Sequence, residues 1–182
     1  MIEGRGADVR LVDIAGRAEV SRQALYLHFG DRAGLLCALV EFMDQVLGVE
    51  ERAAHVFAAG TGVEMLERTV ELYTKLAPGI EQVAQVLEAA QYEDEALAAA
   101  WRNRMDNRRV VHRQIIQRIA NEGRLADSWT VDAAADLFYT ITMPGAWREL
   151  TKELGWTSDD YREHITRLLR RALLLDRPDS RQ

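Results

Sequence analysis

The chain has 182 residues and a formal net charge of −6, from 23 Lys plus Arg against 29 Asp plus Glu. Gly and Pro total 15, Ala and Leu 46, and Val and Ile 22. So few breakers and β-formers exclude a β-sandwich and a collagen-like chain, and one cysteine excludes a disulfide scaffold. The pattern predicts an all-α fold of roughly nine helices and no sheet. Residues 9–18 place Leu11, Ile14, Ala15 and Ala18 on one face of a first helix. Ser21 caps a second short helix that runs to about His28 and stops at Gly30. Asp31 caps a longer one, with Leu35, Leu36, Leu39, Val40, Phe42, Met43, Val46 and Leu47 expected to form a broad apolar face.

Gly60-Thr61-Gly62 reads as a loop. Helices are expected at about 63–77, ended by Pro78-Gly79, and at about 80–91. The longest is expected at about 94–122, with Gly123 just past its end. Thr130 caps the next, interrupted at Pro144-Gly145 and resumed to about Leu154. Ser158 caps the last, which runs to about Leu175 before a polar tail expected to fray. No apolar run reaches the ~18 residues of a membrane span. No continuous apolar stretch marks a signal peptide, so the expected setting is the cytoplasm, away from membranes. Cys37 is expected to be buried and inert.

Residues 9–47 form a unit of two short helices, a tight turn and a long helix, the pattern of a helix-turn-helix. Ile14, Ala15 and Val20 face Leu25 and Phe29, which leaves Arg22, Gln23, Ala24 and Tyr26 outward on the second helix. A helix this short fits a major groove with its N-terminal residues at base edges. Residues 1–40 carry five acids and five arginines, so this head is neutral and the whole −6 lies behind it. Overall acidity disfavours blanket coating of nucleic acid but permits a local reading patch.

The stretch VDIAGRAEVSRQALYLHFGDRAGLLCALVEF resembles the DNA-binding segment of TetR-type (TetR/AcrR) transcriptional regulators. The resemblance rests on Asp13-Ile14-Ala15, Ala18, Val20-Ser21, Leu25-Tyr26, His28-Phe29, the Gly30-Asp31-Arg32 turn and Leu35-Leu36, in that order and spacing. It implies that Ser21, Arg22, Gln23 and Ala24 open the recognition helix and face bases or phosphates. It also implies that Tyr26 and His28 contact the sugar-phosphate backbone and that Arg32 touches phosphate. Arg10 stands where the family has a capping Thr or Ser, trading a cap for a cation within reach of phosphate. Glu19 replaces the usual turn glycine. The family's first helix, of about fifteen residues, precedes the glycine matched by Gly6. Here only Met1 to Arg5 do, so either the sequence omits part of that helix or the domain lacks its roof. The intact helix-turn-helix favours the first.

Other chemistry finds no support. No histidine among His28, His55, His112 and His164 has a Glu three residues before it, and no two lie within one turn, so no metal site is expected. There is no Gly-rich phosphate loop and no Gly-x-Ser-x-Gly, so the protein is not expected to be an enzyme or to need a cofactor. Arg102, Arg104, Arg108, Arg109, Arg113 and Arg118 resemble a phosphate patch. The preferred reading is a solvated helix face paired with acids.

The resemblance implies a division into a DNA-binding domain, 1–47, and a ligand-binding and dimerisation domain, 48–182. It implies a ligand cavity between the helices of the second. Tyr73, Trp101, Met105 and Phe138, with Gln91 or His112 as polar anchors, are its expected lining; the alternative for such residues is plain core. Two apolar stripes, Ala134, Leu137 and Ile141 on one helix and Ile165, Leu168, Leu169 and Ala172 on the last, are the expected four-helix interface of a homodimer. The alternative is that both stripes cover their own core. The function so implied is a ligand-responsive DNA-binding regulator, usually a repressor, acting on a near-palindromic double-stranded operator in answer to an unidentified small molecule. The alternative is a ligand-binding or adaptor protein with a non-reading helix-turn-helix.

Overall fold

The computed structural model describes residues 21–92 and 94–175, without the side chains of Arg22, Leu25 and Arg32. The helix expected over 9–18 and the polar tail lie outside the described residues. Ser21 caps α1 (Arg22–Phe29): its Oγ accepts from the Ala24 N–H at 3.0 Å. Gly30 ends that helix at φ 76°, a left-handed backbone that a side chain would strain. Asp31 then caps α2 (Arg32–Val46), accepting from the Gly34 N–H at 2.8 Å. These boundaries are those the cap residues indicate.

Gly48, at φ 57°, turns the chain into α3 (Val49–Phe57), a short helix the sequence reading did not mark. It exposes most of its surface and buries Val56. The loop that follows ends one residue earlier than expected, and α4 runs unbroken over Gly62–Ala90 with Pro78 inside it. The expected break at Pro78-Gly79 is therefore corrected. Proline deletes one backbone bond, to the Thr74 carbonyl. Both flanks are fastened by burial, Leu76 and Ala77 before it and Val83, Val86 and Leu87 after. Gly79 is also used: a Cβ there would sit 3.2 Å from a Leu47 methyl, so glycine lets Leu47 lie against the helix.

With 29 residues, α4 exceeds the 27 of α5 (Glu95–Asn121), which the sequence marked as the longest. Gly123 follows α5 at φ 63°, as expected of a helix stop. Thr130 caps α6 (Val131–Ile141), and after Met143 the chain resumes as α7 (Pro144–Arg148) and a π-helical turn over Glu149–Glu153. The last helix, α8 (Ser158–Leu173), is capped by Thr157 and not Ser158. The reason is reciprocity: Thr157 Oγ accepts from the Asp160 N–H while the Asp160 carboxylate accepts from the Thr157 N–H, each at 3.0 Å. The described residues hold eight α-helices and no named strand, only one isolated antiparallel bridge between Leu125 and Leu174.

The chain divides into two compact units. One runs to Val49 and takes in Gly79–Met105; the other is Glu50–Pro78 with the chain from Asp106 onward. In the first, Leu36, Val83, Leu87, Leu97 and Trp101 are buried. In the second, Leu66, Val70, Ile116, Phe138, Tyr161 and Leu169 belong to one core. Each fully buried Leu or Ile there contributes roughly 1.5–3 kcal/mol. Two polar clasps close this second unit. The Glu122 carboxylate accepts the Gly62 N–H at the start of α4, at 2.9 and 3.0 Å, and Arg118 donates to the Gly60 carbonyl at 2.6 Å. At the far end of α8, the Ala126 N–H donates to the Leu173 carbonyl at 2.8 Å and the Trp129 indole to that of Ala172 at 2.7 Å.

Candidate nucleic-acid helix and effector core

On α1 the exposed side chains are Gln23, Ala24, Tyr26, Leu27 and His28. Gln23 and Ala24 occupy the first turn, beside the cap, where the helix N-terminus favours an anion. Ser21 is exposed, but its hydroxyl serves that cap and holds the start of the helix. Tyr26 is 46% exposed, and the His28 ring stands edge-on to Phe29 with centroids 4.7 Å apart. That contact fixes the imidazole at the end of the helix while its surface stays open. Leu27, 89% exposed, is an outward apolar residue the sequence reading did not single out. Arg10 lies outside the described residues, as do the side chains of Arg22 and Arg32; Arg22 opens α1 and Arg32 opens α2. Cys37 is half-buried and not buried; burial, then Glu41, Asp31 and Asp94, push its thiol pKa up, away from the reactive thiolate.

The arginine run separates into two kinds. Arg102 pairs with Glu95, Arg104 with Asp44, Arg109 with Asp106, Arg113 with Asp132 and Arg118 with Glu122. These five are the acid-paired face the sequence led us to expect, and each exposed pair contributes little, about 0–1 kcal/mol. Arg108 is the exception. It turns toward the second unit's interior, with its guanidinium carbon 3.8 Å from the centre of the Tyr73 ring. Its Nη2 donates to the Thr142 carbonyl, at the C-terminal end of α6, at 2.6 Å.

Around it three of the expected ligand residues come together. Tyr73 stacks on His112 with centroids 5.7 Å apart, and Phe138 meets the same imidazole edge-on at 4.3 Å. His112 is wholly buried. Its Nδ1–H donates to the Arg108 carbonyl at 2.5 Å, and its Nε2 accepts from the Thr142 hydroxyl at 3.0 Å. Burial first, then the Arg108 charge, push the His112 pKa down to about 3 against the opposing backbone bond, so the ring is neutral at physiological pH. Burial likewise raises Tyr73, with Arg108 opposing, and takes Tyr161 up to about 12.

Gln91, Trp101 and Met105 belong to the first unit. Trp101 and Met105 are buried, and the Gln91 amide donates to the Glu88 carbonyl at 2.7 Å. Among the described residues, a cavity of about 600 Å³ lies elsewhere, between α3 and the first half of α4, lined by Glu51, Arg52, His55, Arg68, Glu71 and Lys75 among others. It is a charged groove that the sequence reading missed, because no motif marks it. Its cations are largely engaged, Arg68 with Glu64 and the His55 carbonyl, Lys75 with Glu71.

The residues assigned to a dimer also separate. Ala134, Ile165 and Leu169 are buried in the chain's own core and have almost no area left to lose to a second copy. Leu137, Ile141 and Ala172 pack partly against that core, and Leu168 is 48% exposed.

Residues 1–39 match the family model described as bacterial regulatory proteins, tetR family, which takes in α1 and half of α2. No curated protein matches the chain in sequence. Among solved structures, a TetR-family transcriptional regulator from Pectobacterium atrosepticum is 26% identical, with a TM-score of 0.64 over 94% of this chain and 86% of that one. A transcriptional regulator from Saccharomonospora viridis, in complex with choline, is 18% identical, with a TM-score of 0.80 over 96% and 92%. NalD of Pseudomonas aeruginosa, the secondary repressor of the MexAB-OprM multidrug efflux pump, is 20% identical, with a TM-score of 0.68 over 97% and 92%.

Proposed function

We propose that this chain, which carries the tetR-family DNA-binding segment on an all-helical TetR-type fold, is a ligand-responsive transcriptional regulator. The observation that carries the reading is α1 itself. It is a short helix, capped at its start and stopped by glycine, that presents Gln23, Ala24, Tyr26 and His28 outward within the matched segment. Residues 1–47 read DNA; residues 48–182 bind the effector and pair two copies. The finer points are a homodimer, a near-palindromic operator with half-sites about 34 Å apart, and repression relieved by ligand. A bound choline in one relative and a repressor's role in another support a small-molecule effector and repression here. By linkage, the effector that weakens DNA binding is itself bound more weakly by the DNA complex, by the same factor. On this reading the protein works in the cytoplasm, where its operator is.

Selection from random DNA followed by binding titrations tests this. Gln23→Ala relaxes sequence preference at one position and costs on the order of 1–3 kcal/mol. Tyr26→Phe and His28→Ala weaken all sequences alike, because phosphate contacts position without specifying. An affinity for DNA that shows no sequence preference in the wild type sinks the reading and leaves the adaptor alternative.

A further inference from the structure

We propose that the cluster centred on Arg108 is a receptor for a small organic carboxylate with an apolar body; this deepens the effector reading above and rests on it. Five of the six arginines along α5 meet an acid, and among the described residues Arg108 does not. Its Nε is shielded from solvent and has no acceptor among the described residues. A charged donor left bare in the interior is costly, and a native fold that retains one calls for an acceptor. The guanidinium is otherwise well placed. The Tyr73 ring lies beneath it and the Thr142 carbonyl holds Nη2, so the fork is fixed before anything binds. Arg108 and Tyr73 are both half-buried, so the outer part of the pair meets solvent while Nε does not.

The surroundings choose the ligand's charge and body. The guanidinium occupies the face of Tyr73 that a quaternary ammonium would take, so a cation is repelled and denied its ring. His112 is neutral and supplies no second positive charge, so one guanidinium suits a monoanion better than a phosphate dianion. Phe138 and Tyr139 meet the His112 ring and are themselves buried, so a hydrocarbon body enters an apolar interior by displacing part of that packing.

The test is calorimetric titration of the full chain, without DNA, with octanoate, octanol and octyltrimethylammonium at neutral pH. Octanoate binds, the other two bind more weakly, and Arg108→Gln weakens octanoate roughly ten- to hundredfold while leaving octanol unchanged. Arg108→Lys recovers only part, since an ammonium lacks the planar fork. Equal binding of octanol or of the ammonium, or octanoate binding untouched by Arg108→Gln, overturns the proposal. A second measurement needs no variant. The Arg108 Nε–H resonance of the wild type shifts on adding octanoate and not on adding octanol; a resonance that ignores octanoate overturns the proposal. Because DNA is absent, octanoate bound by a protein that reads no operator leaves the carboxylate site standing and removes the regulator.

Discussion

Gly62 opens α4 where that helix meets the end of α5. A Cβ built on it would lie 2.7 Å from both the backbone nitrogen and the Cγ1 of Ile119, and 3.1 Å from its Cα. Cβ atoms do not approach backbone that closely, and Ile119 is wholly buried inside α5, so it has little room to retreat. Gly62→Ala therefore separates the two helices, costing about 1–3 kcal/mol as overpacking. It also pulls the Gly62 N–H from the Glu122 carboxylate, a charge-assisted bond worth about 1.5–3 kcal/mol. Against this stands the gain of alanine over glycine in a helix, at most about 1 kcal/mol. The net is a loss of about 1.5–6 kcal/mol, or on the order of 10 °C in Tm for a chain of this size. Gly145→Ala is the control: it too is helical, a Cβ there meets nothing within 4 Å, and its expected effect is neutral or a gain of up to about 1 kcal/mol. Thermal and urea unfolding of the pair checks this. A Gly62→Ala protein as stable as Gly145→Ala would refute the reasoning, since the two differ mainly in what the new methyl touches.

Other expectations are less costly to check. His112 is neutral in the fold and its folded pKa is depressed from 6.5 to about 3, so its contribution is intact above pH 6.5 and stability is lost as pH falls through the window toward 3. By pH 5 the loss is about 2 kcal/mol, and His112→Asn should flatten the urea midpoint between pH 7 and 5; parallel slopes in the two proteins contradict it. Leu168→Glu places a charge on the part of α8 left open in the single chain, and on the dimer reading sizing chromatography gives monomers; an unchanged dimer puts the interface elsewhere. Thr157→Ala removes one half of the reciprocal cap of α8 and costs about 0.5–2 kcal/mol in chemical unfolding, whereas Ser158→Ala costs less, because Ser158 is not the cap.

Local chemistry was written in the sequence wherever a residue acts on its immediate neighbours. Ser21, Asp31 and Thr130 cap helices because a side-chain oxygen reaches an N–H three residues on, and Gly30 and Gly123 end helices because glycine accepts a left-handed backbone without strain. The recognition helix and the family resemblance were legible for the same reason: they sit within one short stretch. Where two local signals competed the reading slipped. Ser158 and Thr157 are both cap residues by type, and the Asp160 carboxylate that accepts the Thr157 N–H selects Thr157; Pro78 is a stop by type. A proline's cost of one backbone bond is local, but the burial of Leu76, Ala77, Val83 and Val86 that outweighs it depends on what packs alongside. The same holds for the arginines of α5. Nothing in their spacing distinguishes Arg108 from Arg104 or Arg109; the difference is that Asp44 and Asp106 reach the latter two while Tyr73 and the end of α6 meet the first. Likewise Ile165 and Leu168 share an apolar stripe, and only packing sends one into the core and leaves the other open. Helix starts and stops are settled within a turn or two of chain, whereas the partner of a long side chain is settled by residues tens of positions away.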